Sequence, residues 1–182
     1  MEALRCVPAS EVVSHAEQLG VSLDLFEAGG YGEPEQQKKL VRDCAAAGYD
    51  AILLGTVSYD AMTETVVEVS QTVPVFATVN AIQGDGITGM VSVDWTDMGR
   101  AAGNYFVENF PQGGEGPSVA WLPGPETAGW VIFTDNGFRE VMQGSAAEVS
   151  NVYYGDTGAD VQRALVEQAL DENPGLQYIA GN

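Results

Sequence analysis

Positive charge is scarce in this chain. Its 182 residues hold seven Lys and Arg against 26 Asp and Glu, a formal net charge of −19, which repels phosphate backbones and offers no counterion release on binding them. Nucleic acids and anionic membranes are poor partners. The acidity reads as a solubility device, because the acids are scattered along helices without the clustering that a metal site needs. Histidine occurs once. That residue, His15, falls in a predicted first helix away from the strand ends, so a Ser-His-Asp or Cys-His device has no base at hand, and His15 reads as a surface residue. Two cysteines, Cys6 and Cys44, are too few for a disulfide framework, and Cys44 takes a core-facing helical position where a thiol is a small apolar filler. No apolar run approaches the roughly 20 residues of a membrane helix, and the opening residues lack the charged and apolar regions of a signal peptide. Gly29-Gly30-Tyr31-Gly32 matches neither the Walker spacing nor the dinucleotide fingerprint. The expectation is a protein that is not an enzyme and uses no cofactor or metal.

What the chain does contain is apolar strands that stop abruptly in small residues. Phe26-Glu27-Ala28-Gly29-Gly30-Tyr31, Ala51-Ile52-Leu53-Leu54-Gly55 and Ala120-Trp121-Leu122-Pro123-Gly124-Pro125 each end this way, as an open α/β sheet does where it presents ligand groups at its carboxyl edge. A helix over Ser10 to Leu19 stops at Gly20, and Val21 to Ala28 follows as a strand. A turn through Pro34 starts a helix with an apolar stripe of Leu40, Val41, Cys44 and Ala45. Tyr49 to Leu54 is the next strand. A helix from about Asp60, with Met62, Val66 and Val67 inward, leads to a strand over Pro74 to Val79.

After a break at Gly84-Asp85-Gly86 and a short strand over Met90 to Val93, a helix runs from Trp95 to about Phe110, with Met98, Ala101, Ala102, Tyr105 and Phe106 on one face. The alternation then restarts, with strands near Ser118 to Leu122, Glu148 to Tyr153 and Gln177 to Ala180. Helices are expected over Ala128 to Gln143 and Ala159 to Glu172. Short loops between alternating elements imply parallel strands with right-handed crossovers. The class is α/β with two Rossmann-like lobes, residues 1–94 and 95–182. A helix at the front with no earlier strand, and a final strand that feeds no helix, lead us to expect a chain incomplete at both ends.

The order and spacing of several segments resemble the type I periplasmic binding proteins, and within them the trimethylamine N-oxide sensors of the TorT kind. These are Glu27-Ala28-Gly29-Gly30-Tyr31, Gln36-Gln37 with Cys44, Ala51-Ile52-Leu53-Leu54-Gly55, Val79-Asn80-Ala81-Ile82, Trp95 with Met98-Gly99, Leu122-Pro123-Gly124-Pro125, Ala128-Gly129 and Gly137-Phe138-Arg139. The resemblance implies a periplasmic receptor that closes two lobes around trimethylamine N-oxide or a related small methylated amine. It also implies a membrane-bound, TorS-like sensor histidine kinase as partner. In that family the first strand and the aromatic residues after it precede the first helix, and Met1 to Pro8 do not supply them.

A trimethylated nitrogen offers no conventional donor, so its recognition falls to aromatic faces. Tyr31, after the first visible strand, and Trp95, at the lobe crossover, are the expected rings. Trp130, in the first turn of a second-lobe helix, is a further candidate. As structural alternatives, Tyr31 shields a helix start, Trp95 staples the hinge and Trp130 packs on the sheet. An N-oxide oxygen needs a donor, for which the amides of Asn80 and Asn182 and the hydroxyl of Tyr59 are candidates at strand ends. Trp121 reads as core. The rival readings are a sugar or autoinducer receptor of a transport system, which would use Asp, Asn and Arg around a pyranose, and the effector domain of a LacI-like repressor.

Overall fold

The fold is described by a computed structural model covering residues 9–182; Cys6 and the opening segment Met1 to Pro8 lie outside the described residues. The chain forms two compact units that part between Val91 and Ser92.

The first unit runs α1 (Ala9–Leu19), α2 (Pro34–Ala47), β1 (Ile52–Leu54), α3 (Thr63–Val69), β2 (Val75–Val79) and β3 (Gly89–Ser92). Pro34 opens α2, where its fixed φ and missing N–H cost nothing. Gly48 closes it in the left-handed conformation, φ 81°, with its N–H on Ala45 O. The sheet order is β1-β2-β3, and β1 and β2 are parallel with Ile52 opposite Val75. Ile52, Leu54, Val75 and Ala77 turn onto Val41, Met62 and Val66 in one apolar cluster, where each fully buried aliphatic side chain is worth about 1.5–3 kcal/mol. On α3 the inward positions belong to Thr65, Val66 and Val69. Val67, expected to face inward, is exposed.

Val21 to Ala28 does not form the expected strand. The segment has no regular secondary structure and no ladder with any described strand, and Val21 is 57% exposed. Its link to the sheet side runs through Tyr49, whose hydroxyl donates to Asp24 Oδ2 at 2.5 Å and whose ring meets Phe26 edge-on. A strand needs a neighbouring backbone at about 4.8 Å; Val21 and Leu23 instead line an apolar groove of about 400 Å³ together with Leu53 of β1 and Val12, His15 and Leu19 of α1. His15 itself is exposed, with Nδ1 3.1 Å from Glu11 O.

The second unit runs α4 (Trp95–Asn109), β4 (Ser118–Gly124), α5 (Gly129–Met142), β5 (Glu148–Tyr154), α6 (Ala159–Glu172) and β6 (Tyr178–Gly181). Its sheet order is β5-β4-β6 with all pairings parallel. The central strand β4 is buried on both faces from Val119 to Gly124, which is why it reads as an unbroken apolar run. Trp121 is core, as expected. It is fully buried and stacked on Phe138 at 4.0 Å and 11°, with Nε1 donating to Asp135 Oδ1 at 3.0 Å.

Helix α4 turns a different face inward from the one its large apolar residues suggest. Met98 and Tyr105 are exposed, and the buried positions are Trp95, Gly99, Gly103 and Phe106. Helices α4 and α5 touch backbone to backbone there. A Cβ on Gly99 would stand 2.0 Å from Thr134 O, one on Gly137 2.1 Å from Thr96 O, and one on Gly103 3.0 Å from Phe138 O. Only glycine permits this approach.

Two outcomes follow from this packing. Gly99→Ala should lower unfolding free energy by about 2 kcal/mol or more, since neither helix backbone can yield locally, while Gly175→Ala, with open space around it, should stay within about 0.5 kcal/mol; urea titration of both variants checks the difference. Burial, and then the charges of Asp43 and Asp24, push the Cys44 thiol above its ordinary range. In a Cys6→Ser background, labelling of Cys44 by a thiol reagent should therefore be slow at pH 7 and still rising beyond pH 8.5, and a plateau below that pH would contradict this environment.

Candidate functional site

Tyr31, Tyr59 and Asn80 belong to the first unit; Trp95, Trp130 and Asn182 belong to the second. In the first unit the loop after β1, Gly55 to Asp60, is held by two buried amides. Gln37 reaches from α2, donating Nε2–H to Gly55 O at 2.8 Å and accepting the Val57 N–H at Oε1 at 3.0 Å. Asn80, just past β2, donates Nδ2–H to Thr56 O at 2.8 Å. Thr56 is itself buried and donates Oγ1–H to Ser58 O at 2.6 Å. The half-buried Tyr59 sits at the end of this loop, and its carbonyl accepts the Gln83 N–H at 2.7 Å. Tyr31 is buried in the turn before α2, after Gly29 and Gly30, which both have positive φ.

Asn80 carries two costs. Val79 before it has φ 67°, a genuine outlier for a β-branched residue. With Asn80 N–H donating to Thr78 O at 2.8 Å, it forms the centre of a γ-turn, the rare strained kind. Such backbone costs about 1–3 kcal/mol and concentrates at functional sites. The Asn80 side chain is 7% exposed, yet Oδ1 has no donor among the described residues. A buried acceptor left this way costs about 1–3 kcal/mol more. The donor expected of this amide is engaged by the fold, and its acceptor end is the part left open.

In the second unit the close approach of α4 and α5 brings together two rings from separate helices. Trp95 opens α4 directly after the cap, where Asp94 Oδ1 accepts the Asp97 N–H at 3.0 Å. Trp130 lies in the first turn of α5. Their rings lie 5.0 Å apart between centroids, inclined at 35°, and both are buried, Trp95 at 9% exposure. Trp95 Nε1 has no acceptor among the described residues. Gly124, at the carboxyl end of β4 with φ 117°, makes room for the pair, since a Cβ there would fall 2.5 Å from Cη2 of Trp130. Asn182 is exposed at the end of β6, its backbone N–H 3.4 Å from Leu122 O.

The strained turn and buried open acceptor of the first unit stand just past the end of β2, and the paired indoles and buried open donor of the second stand beside Gly124 at the carboxyl end of β4, the edge at which open α/β sheets present ligand groups. A periplasmic binding protein domain model matches residues 9–182. The chain belongs to the periplasmic binding protein domain family. Within this family, the Escherichia coli K12 periplasmic protein TorT is 33% identical over 168 residues, 91% of this chain and 47% of that protein. The chain thus spans about half the length of the curated relatives it matches. A crystal structure of a TorS sensor domain–TorT complex in the presence of TMAO superposes with TM-score 0.76 at 34% identity, covering 93% of this chain and 57% of that one. An ABC transporter solute-binding protein from Bradyrhizobium sp. BTAi1 with bound Bis-Tris is 38% identical with TM-score 0.69, covering 94% and 52%. Sugar-bound proteins, such as one from Mycobacterium smegmatis in complex with beta-D-fucofuranose at 22% identity and TM-score 0.86, covering 94% of this chain and 57% of that one, share the fold alone.

Gln37, Thr56 and Gly124 were not singled out as site residues in the sequence. Gln37 was detectable, since a polar residue three and four positions before Leu40 and Val41 lies on the apolar stripe of α2. Gly124 lies in the strand ending Leu122-Pro123-Gly124-Pro125 that the sequence already marks, though nothing local shows that a ring sits on it, and Thr56 leaves no comparable trace. For this periplasmic binding protein domain, Gly124→Ala should rotate Trp130 away from Trp95. We expect the near-ultraviolet circular dichroism of the indoles to weaken and stability to fall by about 1–3 kcal/mol; an unchanged spectrum would show that Gly124 does not seat the ring.

Proposed function

We propose that this protein is a periplasmic sensor component that binds trimethylamine N-oxide or a related small methylated amine and reports it to a TorS-like membrane sensor histidine kinase. The observation that carries this reading is the buried Trp95–Trp130 pair with an open indole N–H. A methylated nitrogen spreads positive charge over methyl groups, and each aromatic face offers it about 0.5–2 kcal/mol, most when water is excluded. The Trp95 N–H supplies what an N-oxide oxygen requires. Tyr31, buried in the turn before α2, is a further candidate ring. The relatives support the amine class, since the TorS–TorT complex was solved with TMAO and the Bradyrhizobium protein holds Bis-Tris, itself a tertiary amine.

In this reading the ligand favours the form of the protein in which the rings reach it. It shifts that balance only by its differential affinity for the two forms. The ring contacts are therefore made chiefly in the ligand-bound form. A sugar receptor of a transport system is the competing assignment, and the shared fold of the sugar-bound proteins is its support.

Calorimetry of the intact protein with trimethylamine N-oxide, tetramethylammonium and a furanose separates the two. We expect the methylated compounds to bind, and Tyr31→Ala and Trp95→Ala each to weaken them about tenfold or more. Unchanged affinity in both variants would remove these rings from the site, and binding of the furanose alone would overturn the amine assignment.

A further inference from the structure

We propose that Asp85, in the loop after β2, is a modification site at which the main chain rearranges spontaneously to isoaspartate, and that the more reactive Asn136-Gly137 step is held inert by α5.

Asp85-Gly86 and Asn136-Gly137 are the chain's single Asp-Gly and single Asn-Gly steps. In each, a side-chain carbonyl carbon stands beside a glycine nitrogen that no neighbouring side chain shields. That nitrogen attacks Cγ of the preceding residue and gives up its proton, and the group on Cγ leaves as ammonia from the amide or as water from the carboxyl. A five-membered succinimide results. Water then opens the ring at either carbonyl. Cleavage of the N–Cγ bond gives aspartate in an ordinary main chain, whereas cleavage of the bond to the main-chain carbonyl leaves the peptide link running through Cγ, one carbon longer. Nothing is oxidised or reduced, and water is the sole co-reactant. Ammonia leaves an amide more readily than water leaves a carboxylate, so in a chain without structure Asn136 reacts first.

The fold reverses that order. Asn136-Gly137 lies inside α5, where the glycine N–H is committed to the helical ladder. Gly137 is also buried against α4, with its Cβ position 2.1 Å from Thr96 O. Its backbone cannot turn the nitrogen onto Cγ without parting two helices. Asp85, by contrast, is exposed in irregular chain. Its carboxylate makes no hydrogen bond or ion pair with a described residue, and no described group accepts the Gly86 N–H. Glycines with φ 112° and 92° flank it at positions 84 and 86. The bonds that hold the loop stand outside the reacting step, with Gln83 N–H on Tyr59 O at 2.7 Å and Thr88 N–H on Val75 O at 2.8 Å. The extra carbon of isoaspartate is therefore taken up between Gly84 and Ile87.

Peptide mapping by mass spectrometry, with isoaspartyl methyltransferase labelling, of the intact protein aged near neutral pH tests the order. We expect methyl-accepting isoaspartate of unchanged mass at Asp85 and an intact amide at Asn136. In concentrated urea Asn136 should react first. Gly86→Ala is a poor probe, because its Cβ would stand 2.7 Å from Ser70 Oγ. Asp85→Asn is the sharper one, since it places the same chemistry at both steps of one folded chain. Deamidation at position 85 should then run about tenfold or more faster than at Asn136, whose glycine must first leave its helix. Comparable rates at the two positions of this variant would overturn the proposal. So would reaction at Asn136 ahead of Asp85 in the folded unmodified protein, or absence of isoaspartate at Asp85 there once the denatured chain has formed it at the same residue.

Discussion

The second unit depends on how closely two helix backbones can approach. Gly99 and Gly103 on α4 and Gly137 on α5 remove the side chains that normally keep helices 8–10 Å apart. The helices run in the same direction, and what the contact fixes at its far end is the relation between their first turns. Trp95 and Trp130 stand there. Each ring alone is an ordinary large apolar residue at a helix start. Held together above Gly124, they form an aromatic surface whose geometry is set by backbone contacts, with little left to rotamer choice.

The first unit solves its problem with amides. The loop after β1 must end a buried strand without losing the hydrogen bonds of its peptide groups, and Gln37 and Asn80 answer for Gly55, Thr56 and Val57. This makes the carboxyl edge of the sheet rigid and polar at once. The strained Val79 and the open Oδ1 are local departures from an otherwise satisfied network. Departures of that kind persist where the surrounding structure over-determines them.

Much of this was readable from the residues. The buried strands announce themselves as apolar runs closed by glycine, and Pro34 and Gly48 mark the ends of α2 on conformational grounds alone. Two readings failed for instructive reasons. Val21 to Ala28 has the composition of a strand, but a strand needs a neighbouring backbone, which composition does not reveal. On α4, Met98 and Tyr105 drew the apolar face toward themselves, although the true contact lies along glycines that carry no hydrophobic signal. Asn80 was legible as a residue, but which end of its amide is free depends on Thr56, a tertiary partner. Likewise, Trp95 and Trp130 were found separately, and nothing local joins them.

The apolar groove beside β1 gives the molecule's acidity a second meaning. Among the described residues β1 pairs on one side only, and Leu53, Val21 and Phe26 are exposed near it, features on which another chain's backbone can pair. A net charge of −19 makes any two copies repel before such edges meet. That protection reaches only about 8 Å at physiological ionic strength, so salt, which shortens it, acts directly on the colloidal fate of this protein.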